Sequence, residues 1–392
     1  MKNVYLVSYS RSAFTRAHPY KKEVDLFADI SGDQLLAQLI DHQLEKGNFD
    51  GEDVDDLSVG CALQVKEQWN FGGRYPILLS KLGDQCASRG IEQQCGSGLA
   101  ALRYSALNIA SGSADIAMAA GYEHMTRVPM GPSLFEQGIL EVPDVSNYDS
   151  SYDMDVVMNM GLTAENLANK THITREQMDV FSEASHRKAS LARDEGFYQG
   201  EITPLFNNNK LEVTEDACIR KETSVDKLSQ LKPAFKENGF ITAGNSSPLS
   251  TGAALIVLMS EDALIKTGMK PLARIVSIAD RGTKPELMGQ GVIPAVEKAL
   301  TVAGLTANDI DFWEINEAFS VVPLYAQQHF NIKDKKLNIK GGALALGHPL
   351  GASGIRLAGT LARILTSEKS RYGCAAACIG GGQGIAMIIE RI

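Results

Sequence analysis

Several short segments of this chain hold side chains able to do covalent chemistry at a carbonyl. Cys95 stands in QQCGSGLAALRYSALNIA, immediately before a Gly-Ser-Gly turn and a long apolar-periodic stretch. At a helix N-terminus the macrodipole and free amides favour a thiolate, so this position predicts a lowered pKa and a nucleophile near neutral pH. The competing assignment is a small buried hydrophobe, the commonest fate of a free cysteine. His348 lies in the glycine-rich run KGGALALGHPLGASG, Lys340 to Gly354, with no charge after the lysine. Glycine accepts turns that bring main-chain amides close to a ligand, and the run fixes one imidazole beside them.

Cys378 ends an apolar strand in CAAACIGGGQG, where Gly380, Gly381 and Gly382 supply amides. A thiol there can exchange a proton at a reacting carbon while the amides stabilise an oxyanion. Zinc is the alternative, because Cys374 and Cys378 share one face of the strand; no second close Cys/His pair exists to complete a site, and no metal is expected. Asn316-Glu317-Ala318-Phe319 follows the strand-like Phe312 to Ile315. Asn316 can orient a water or donate to an oxyanion, and Glu317 can fix a neighbouring imidazole. A helix cap is the other reading of Asn316, and spacing does not separate the two.

The elements that must position these groups are βα units. A chain of 392 residues is too long for one simple core and points to two modules or one large duplicated one. Strand-length apolar runs at Val4–Val7, Ile116–Ala120, Arg274–Ile278, Ala375–Ile379 and Ile385–Ile389 alternate with helical stretches such as Leu99–Ala110 and Ile355–Leu365. The alternation predicts a parallel sheet buried on both faces. Asp53-Val54-Asp55 matches Asp309-Ile310-Asp311 at an offset of 309 − 53 = 256, and Ser97-Gly98 matches Ser353-Gly354 at the same offset. Laying Ala114–Gly121 over Gly373–Gly380 raises it to 373 − 114 = 259. Three landmarks in order predict duplication. Between the copies, Met125 to Met160 lacks clear periodicity and reads as an excursion over an active site. Thr174–Glu195 reads as a helix, with Thr174 as N-cap and Gln177 closing a capping box.

Composition narrows the partners. The net charge of −9 opposes binding to nucleic acid or anionic membrane, so an anionic ligand must be met by local cations. Six scattered cysteines suit a reducing compartment rather than a disulfide scaffold. The start of the chain reads as a strand rather than a signal or transit peptide, and no apolar run reaches membrane-spanning length. The expectation is a soluble, cytoplasmic protein.

In this order and near these spacings, the Cys95 turn, NEAF, GGALALGHPLGASG and CIGGGQG closely resemble the thiolase family, over nearly the whole chain. The resemblance implies an α/β thiolase fold: duplicated halves in a five-layer αβαβα sandwich with an inserted loop domain. Residues 1–120, completed by about 245–270, form the first half, 121–245 the loop domain and 271–392 the second half. It also implies roles. Cys95 resembles the acyl-accepting nucleophile, His348 its base, and Cys378 the acid/base at the acetyl carbon. Asn316 matches the residue that holds a water for one oxyanion hole, and the amides of Cys95 and Gly380 match the second. Arg220 matches a position that lies against the CoA nucleotide, with solvated surface as its other reading, and Ser247 matches a pantetheine contact.

The resemblance further implies no cofactor beyond coenzyme A as substrate, acyl-CoA and CoA as ligands, and a homodimer or homotetramer with room for a multifunctional β-oxidation subunit. Gly60-Cys61 with Gln64, Glu67, Gln68, Asn70 and Arg74, then Tyr122–Gly131 and Met160–Asn166, look like the degradative branch, the 3-ketoacyl-CoA thiolases. Asn159 stands where the acetoacetyl-CoA biosynthetic branch typically has histidine. The chain departs from the family at Glu92, normally Asn, which would set a carboxylate beside the thiolate and raise its pKa. It departs again at Pro248, whose stiffer backbone would alter the contact expected of Ser247. Rival expectations are the biosynthetic condensation of two acetyl-CoA, a decarboxylating ketoacyl synthase, for which the other histidines lack motif context, and an inactive CoA- or lipid-binding relative.

Overall fold

The computed structural model describes residues 2–140 and 151–392. The middle of the expected excursion, 141–150, lies outside the described residues.

Nine strands run edge to edge in the order Phe312–Ile315, Tyr372–Ile379, Gln383–Glu390, Ala273–Gly282, Tyr5–Arg11, Ser250–Met259, Ile116–His124, Asp56–Gly60 and Ala87–Ile91, and the short Thr15–Arg16 pairs with Ser250–Met259. The two halves of this path join through the pairs Tyr5 with Arg274 and Leu6 with Ala273. Duplication is written into its pairing. Asp56 stands opposite Ala117 and Phe312 opposite Gly373, both in parallel ladders. The next strand is antiparallel in each half, with Ile116 opposite Met259 and Tyr372 opposite Glu390.

This corrects the alignment read from sequence. The offset is still 256 in the third landmark, since Asp55 Oδ2 accepts from Ile116 N (3.2 Å) where Asp311 Oδ2 accepts from Tyr372 N (3.0 Å). ADIAMAAG and GCAAACIG look alike three residues out of step because small residues fill both strands, whereas the clamping aspartates fix the register. The offset then drops to 390 − 259 = 131 at the following strand. The difference is the insert, which leaves the sheet after His124 and returns at Ser250.

The parallel-sheet expectation also needs correction. Among the strand pairs of the described residues, only Asp56–Gly60 with its two neighbours and Phe312–Ile315 with Tyr372–Ile379 are parallel; the others are antiparallel. A continuous apolar run reports burial on both faces, not strand direction. Direction is set by the connections: Gly381 (φ +79°) and Gly382 (φ +80°) turn Tyr372–Ile379 straight back into Gln383–Glu390, too short a link for a parallel crossover.

Alternation along the strands sorts the layers. Ala117 and Ala119, with Ala375, Ala377 and Ile379, face one shared core that also holds Leu99, Leu102, Ile355 and Leu361 from the helices Ser97–Ser111 and Leu350–Ser367. Ile116, Met118 and Ala120 face Leu35, Leu36 and Leu39 of the outer helix Gly32–Lys46. Ala376 and Cys378 face Val292, Ala295 and Val296 of the other outer helix, Val292–Ala303. The result is helix, sheet, paired helices, sheet, helix. The two inner helices cross at their N-termini because both lack side chains there: a Cβ on Gly98 would sit 2.5 Å from Gly351 O, and one on Gly354 would collide with Leu99 N.

Within the insert, Arg175–Asp194 is a helix capped as expected, with the Thr174 side chain on Gln177 N and the Gln177 side chain on Thr174 N. Among the described residues no helix is long and apolar enough to cross a membrane, and no group of three or more His, Cys, Asp or Glu side chains could hold a metal.

Candidate active site

The crossing of the inner helices brings Cys95 and His348 to the same end of the molecule. Cys95 lies in a single 3-10 turn, Gln94–Gly96, directly before the helix Ser97–Ser111. It is 8% exposed and packs against Ala17, Ala62, Met125 and Leu350, with Met130 at the edge. Leu350 opens the helix that follows His348-Pro349, so Cys95 of one half rests on the histidine turn of the other.

Two amides converge on the sulfur, that of Gly380 and that of Cys95 itself. The expected low pKa is not found. Burial pushes the Cys95 thiol up to about 12, and the pull of the two amides does not offset it. Nor is Glu92 the carboxylate that acts on it. Glu92 is exposed and turns back to accept from Gln94 N (2.8 Å) and Gln94 Nε2 (2.9 Å). The carboxylate that raises the thiol is Glu123. Cys378 is wholly buried, and burial raises its thiol well above the ordinary range, with Cys95 as the second cause. The two thiols are therefore electrostatic neighbours, and both are protonated at neutral pH.

His348 has a defined tautomer. Ser353 Oγ spends its proton on Pro349 O (2.9 Å), so it accepts from His348 Nδ1 at 2.6 Å. That leaves Nε2 with its lone pair, facing Asn316 Nδ2 at 3.1 Å. Burial first, and the Arg356 charge second, lower the imidazole pKa to about 3, so it rests neutral. Its backbone is pinned as well: His348 N donates to Ser250 Oγ (3.0 Å), which donates to Pro248 O (2.7 Å). Pro248, the departure from the family pattern, thus belongs to the support of the histidine.

Asn316 caps no helix; the next one, Val321–Phe330, begins five residues later behind Ser320. Its Oδ1 is buried with no hydrogen-bond partner among the described residues. The role expected of Glu317 is not seen. It binds no imidazole, but accepts from Ser185 Oγ (2.6 Å), Asn338 Nδ2 (2.7 Å) and Leu344 N (3.1 Å), which locks the glycine-rich run to the insert. Its carboxylate lies where a Cβ on Gly342 would fall, and this is what requires glycine there.

The remaining sequence candidates lie on the insert and its return. Arg220 is exposed, its amide held by His186 Nδ1 (3.1 Å). Ser247 is half-buried and donates from its amide to Ala318 O (3.0 Å), directly beside the NEAF segment. Asn159 caps the helix Met160–Thr171 through Gly161 N and Leu162 N, and Met160 Sδ comes 3.5 Å from the Cβ position of Gly380. Sequence reasoning gave Ser250 and Ser353 no part in the site. Ser353 was visible only as the counterpart of Ser97, and Ser97 also turns its hydroxyl back on its own turn, to Gln94 O (2.7 Å).

A polarisable thiol under two amides, a second thiol beside it and a neutral imidazole with its Nε2 lone pair held by Asn316 can together accept an acyl group and move its protons. Comparison with known proteins agrees. The family description "Thiolase, N-terminal domain" matches residues 4–262 and "Thiolase, C-terminal domain" residues 269–391. A 3-ketoacyl-CoA thiolase of Marinobacter nauticus is 40% identical over 93% of this chain and 94% of its own. An acetyl-CoA acetyltransferase of Escherichia coli is 37% identical over the whole of both. The crystal structure of human mitochondrial 3-ketoacyl-CoA thiolase in complex with CoA superposes with a TM-score of 0.88 at 31% identity, covering 100% of this chain and 98% of that one. The duplicated halves and the full-length likeness have one source: this chain is a member of the thiolase family, an acyltransferase.

Proposed function

We propose that this thiolase works in the degradative direction, cleaving 3-ketoacyl-CoA with CoA to give acetyl-CoA and a shortened acyl-CoA. The observation that carries the chemistry is the convergence of the Gly380 and Cys95 amides on the Cys95 sulfur, with Cys378 coupled to it.

As Cys95 Sγ bonds to the 3-keto carbon, its proton passes to His348 Nε2. A thiol held near 12 contributes little free thiolate, so transfer accompanies attack rather than preceding it. The carbon–carbon bond then breaks, its electron pair forms the acetyl-CoA enolate, and Cys378 delivers its proton to that carbon. CoA attacks the Cys95 thioester next, gives its thiol proton to the Cys378 thiolate, and the departing Cys95 sulfur recovers its own from His348. The free Oδ1 of Asn316 can hold a water whose hydrogen points at one oxyanion, and the Cys95 and Gly380 amides serve the other. No cofactor besides CoA takes part. Arg220 and Ser247 lie on the segments that would meet the nucleotide and the pantetheine arm.

Asn159 supports the degradative reading, since it caps a helix where the biosynthetic branch places histidine. The biosynthetic alternative keeps its weight from the acetyltransferases among the relatives. Thiolysis with ketoacyl chains of increasing length separates them. Each methylene buried in the transition state adds about 0.8 kcal/mol, so two should raise kcat/KM roughly tenfold until the pocket fills. A profile that peaks at acetoacetyl-CoA and falls for every longer chain overturns the degradative assignment.

We also infer a homodimer or homotetramer. Among the described residues the strand Ala87–Ile91 has a neighbour on one side only, and Trp69, Phe71 and Tyr75 cluster exposed on the segment before it, with Tyr104 and Leu107 exposed on the helix Ser97–Ser111. Light scattering that gives a monomer mass contradicts this. A multifunctional β-oxidation partner and a cytoplasmic location fit the same reading.

A further inference from the structure

We propose that Glu123 is a positioning residue for the reaction: its carboxylate ties the His348 turn of one half to the wall of the Cys95 pocket of the other. The proposal rests on the reading of Cys95 as nucleophile and His348 as base. Glu123 is the penultimate residue of the strand Ile116–His124, next to the pseudo-symmetric crossing, and is fully buried. Among the described residues, every hydrogen bond its carboxylate makes is with a donor. Oε2 accepts from Ala62 N (2.9 Å) and Gly351 N (3.0 Å), and Oε1 from Leu63 N (3.2 Å), Gln68 Nε2 (2.9 Å) and the Cys61 thiol (3.6 Å).

Gly351 is in the first turn of the helix that begins at Leu350, three residues after His348, and its N–H has no intrahelical partner. An anion at this helix start is favourable. Ala62 and Leu350, each in or beside an anchored amide, are among the residues that pack on Cys95. One side chain therefore sets how the imidazole turn sits against the sulfur, and none of the reacting groups needs to touch it. Five donors and no acceptor leave no place for a carboxyl proton or an amide NH2 without a clash of donors. The ionised form is the one that fits, although burial raises its pKa. The same charge faces Cys95 from its strand while Cys378 faces it from Tyr372–Ile379. Cys61 and Tyr122 are the other titratable neighbours of Glu123, and burial raises both, so they stay neutral.

Two substitutions separate reach from charge. Glu123→Asp keeps the charge and withdraws it by one methylene; Glu123→Gln keeps the reach and removes the charge. The readouts on the full chain are kcat and KM for thiolysis, and the pH profile of Cys95 alkylation by iodoacetamide, mapped by peptide mass. Both variants should lose kcat by about tenfold or more with KM changed less than threefold, since the imidazole turn loosens in each. Only Glu123→Gln should move the alkylation profile, to lower pH, by removing the opposing charge. Wild-type kcat in either variant overturns the proposal, as does the same alkylation profile in both. Loss of kcat matched by an equal loss of folded protein in circular dichroism overturns it too, because the role would then be structural. Wild type that is itself inactive in thiolysis, or alkylated elsewhere than at Cys95, counts against the underlying assignment instead.

Discussion

At Cys95 two effects of its position oppose each other, and their sizes decide the chemistry. Amides at a helix start are worth a fraction of a kcal/mol to about 2 kcal/mol to a charge. Full burial of a thiolate costs more, and Glu123 adds to the cost, so the thiol sits near 12. The proposed mechanism then requires a base, and the Ser353–His348–Asn316 chain offers an imidazole that is neutral with its lone pair on Nε2. Cys378 has a separable task. Cys378→Ala should slow acyl-enzyme formation from acyl-CoA at Cys95 only modestly, because CoA can leave as a thiolate, but lose cleavage of 3-ketoacyl-CoA by about a hundredfold or more, because the enolate carbon must be protonated. Equal loss in both half-reactions, measured by intact mass and by thiolysis rate, would mean that Cys378 only fills the core. That Cys95, His348 and Cys378 could do chemistry was read from residue type and turn chemistry. Their proton affinities were not, because burial is a property of the assembled layers.

At the scale of elements, the crossing of Ser97–Ser111 with Leu350–Ser367 joins the two halves of the site. It depends on the absence of a Cβ at Gly98, since the nearest atom there is the backbone oxygen of Gly351 rather than a movable side chain. Gly98→Ala should cost about 3 kcal/mol or more and displace the His348 turn, lowering both Tm and kcat. A variant with wild-type Tm and kcat contradicts this packing account. The Ser-Gly repeat at 97–98 and 353–354 was visible in sequence, and its purpose was not: nothing local says that two helices touch backbone to backbone there. Strand direction was likewise hidden, because Val4–Val7 and Ile385–Ile389 carry the apolar signature of a strand buried on both faces whichever way it runs. The capping box at Thr174 was legible in full, since Thr174 and Gln177 are neighbours in sequence and need nothing from the tertiary fold.

Over the whole molecule, the insert is fastened to the thiolase halves by buried polar groups, and a buried histidine within the insert makes stability depend on pH. His186, on the helix Arg175–Asp194, is buried, and burial with the Arg220 charge lowers its pKa to about 4 from 6.5. The folded state therefore favours the neutral ring, and this contribution is complete above pH 6.5 and lost as pH falls through 4. At about 1.4 kcal/mol per unit, roughly 3 kcal/mol disappears over that range. Asp33, raised to about 6, and Glu314, raised to about 7, act in the opposite sense. The comparison is thus made with His186→Asn, whose side-chain oxygen can still accept from Arg220 N. Its Tm should fall less than that of wild type between pH 6.5 and 4, and parallel curves contradict the assignment. The overall architecture was readable because duplication repeats its landmarks. The contacts between insert and halves were not, since Glu317 with Ser185 and Arg11 with Asp216 are far apart in sequence and carry no motif.

The central claim is that Cys95 receives the acyl group while His348 and Cys378 move the protons. Intact-mass analysis after mixing the protein with acyl-CoA, followed by peptide mapping, tests it most directly. A single acyl adduct on Cys95, absent in Cys95→Ser together with thiolysis, is the predicted result. An adduct that maps to Cys378, or thiolysis that survives in Cys95→Ser, would contradict the account.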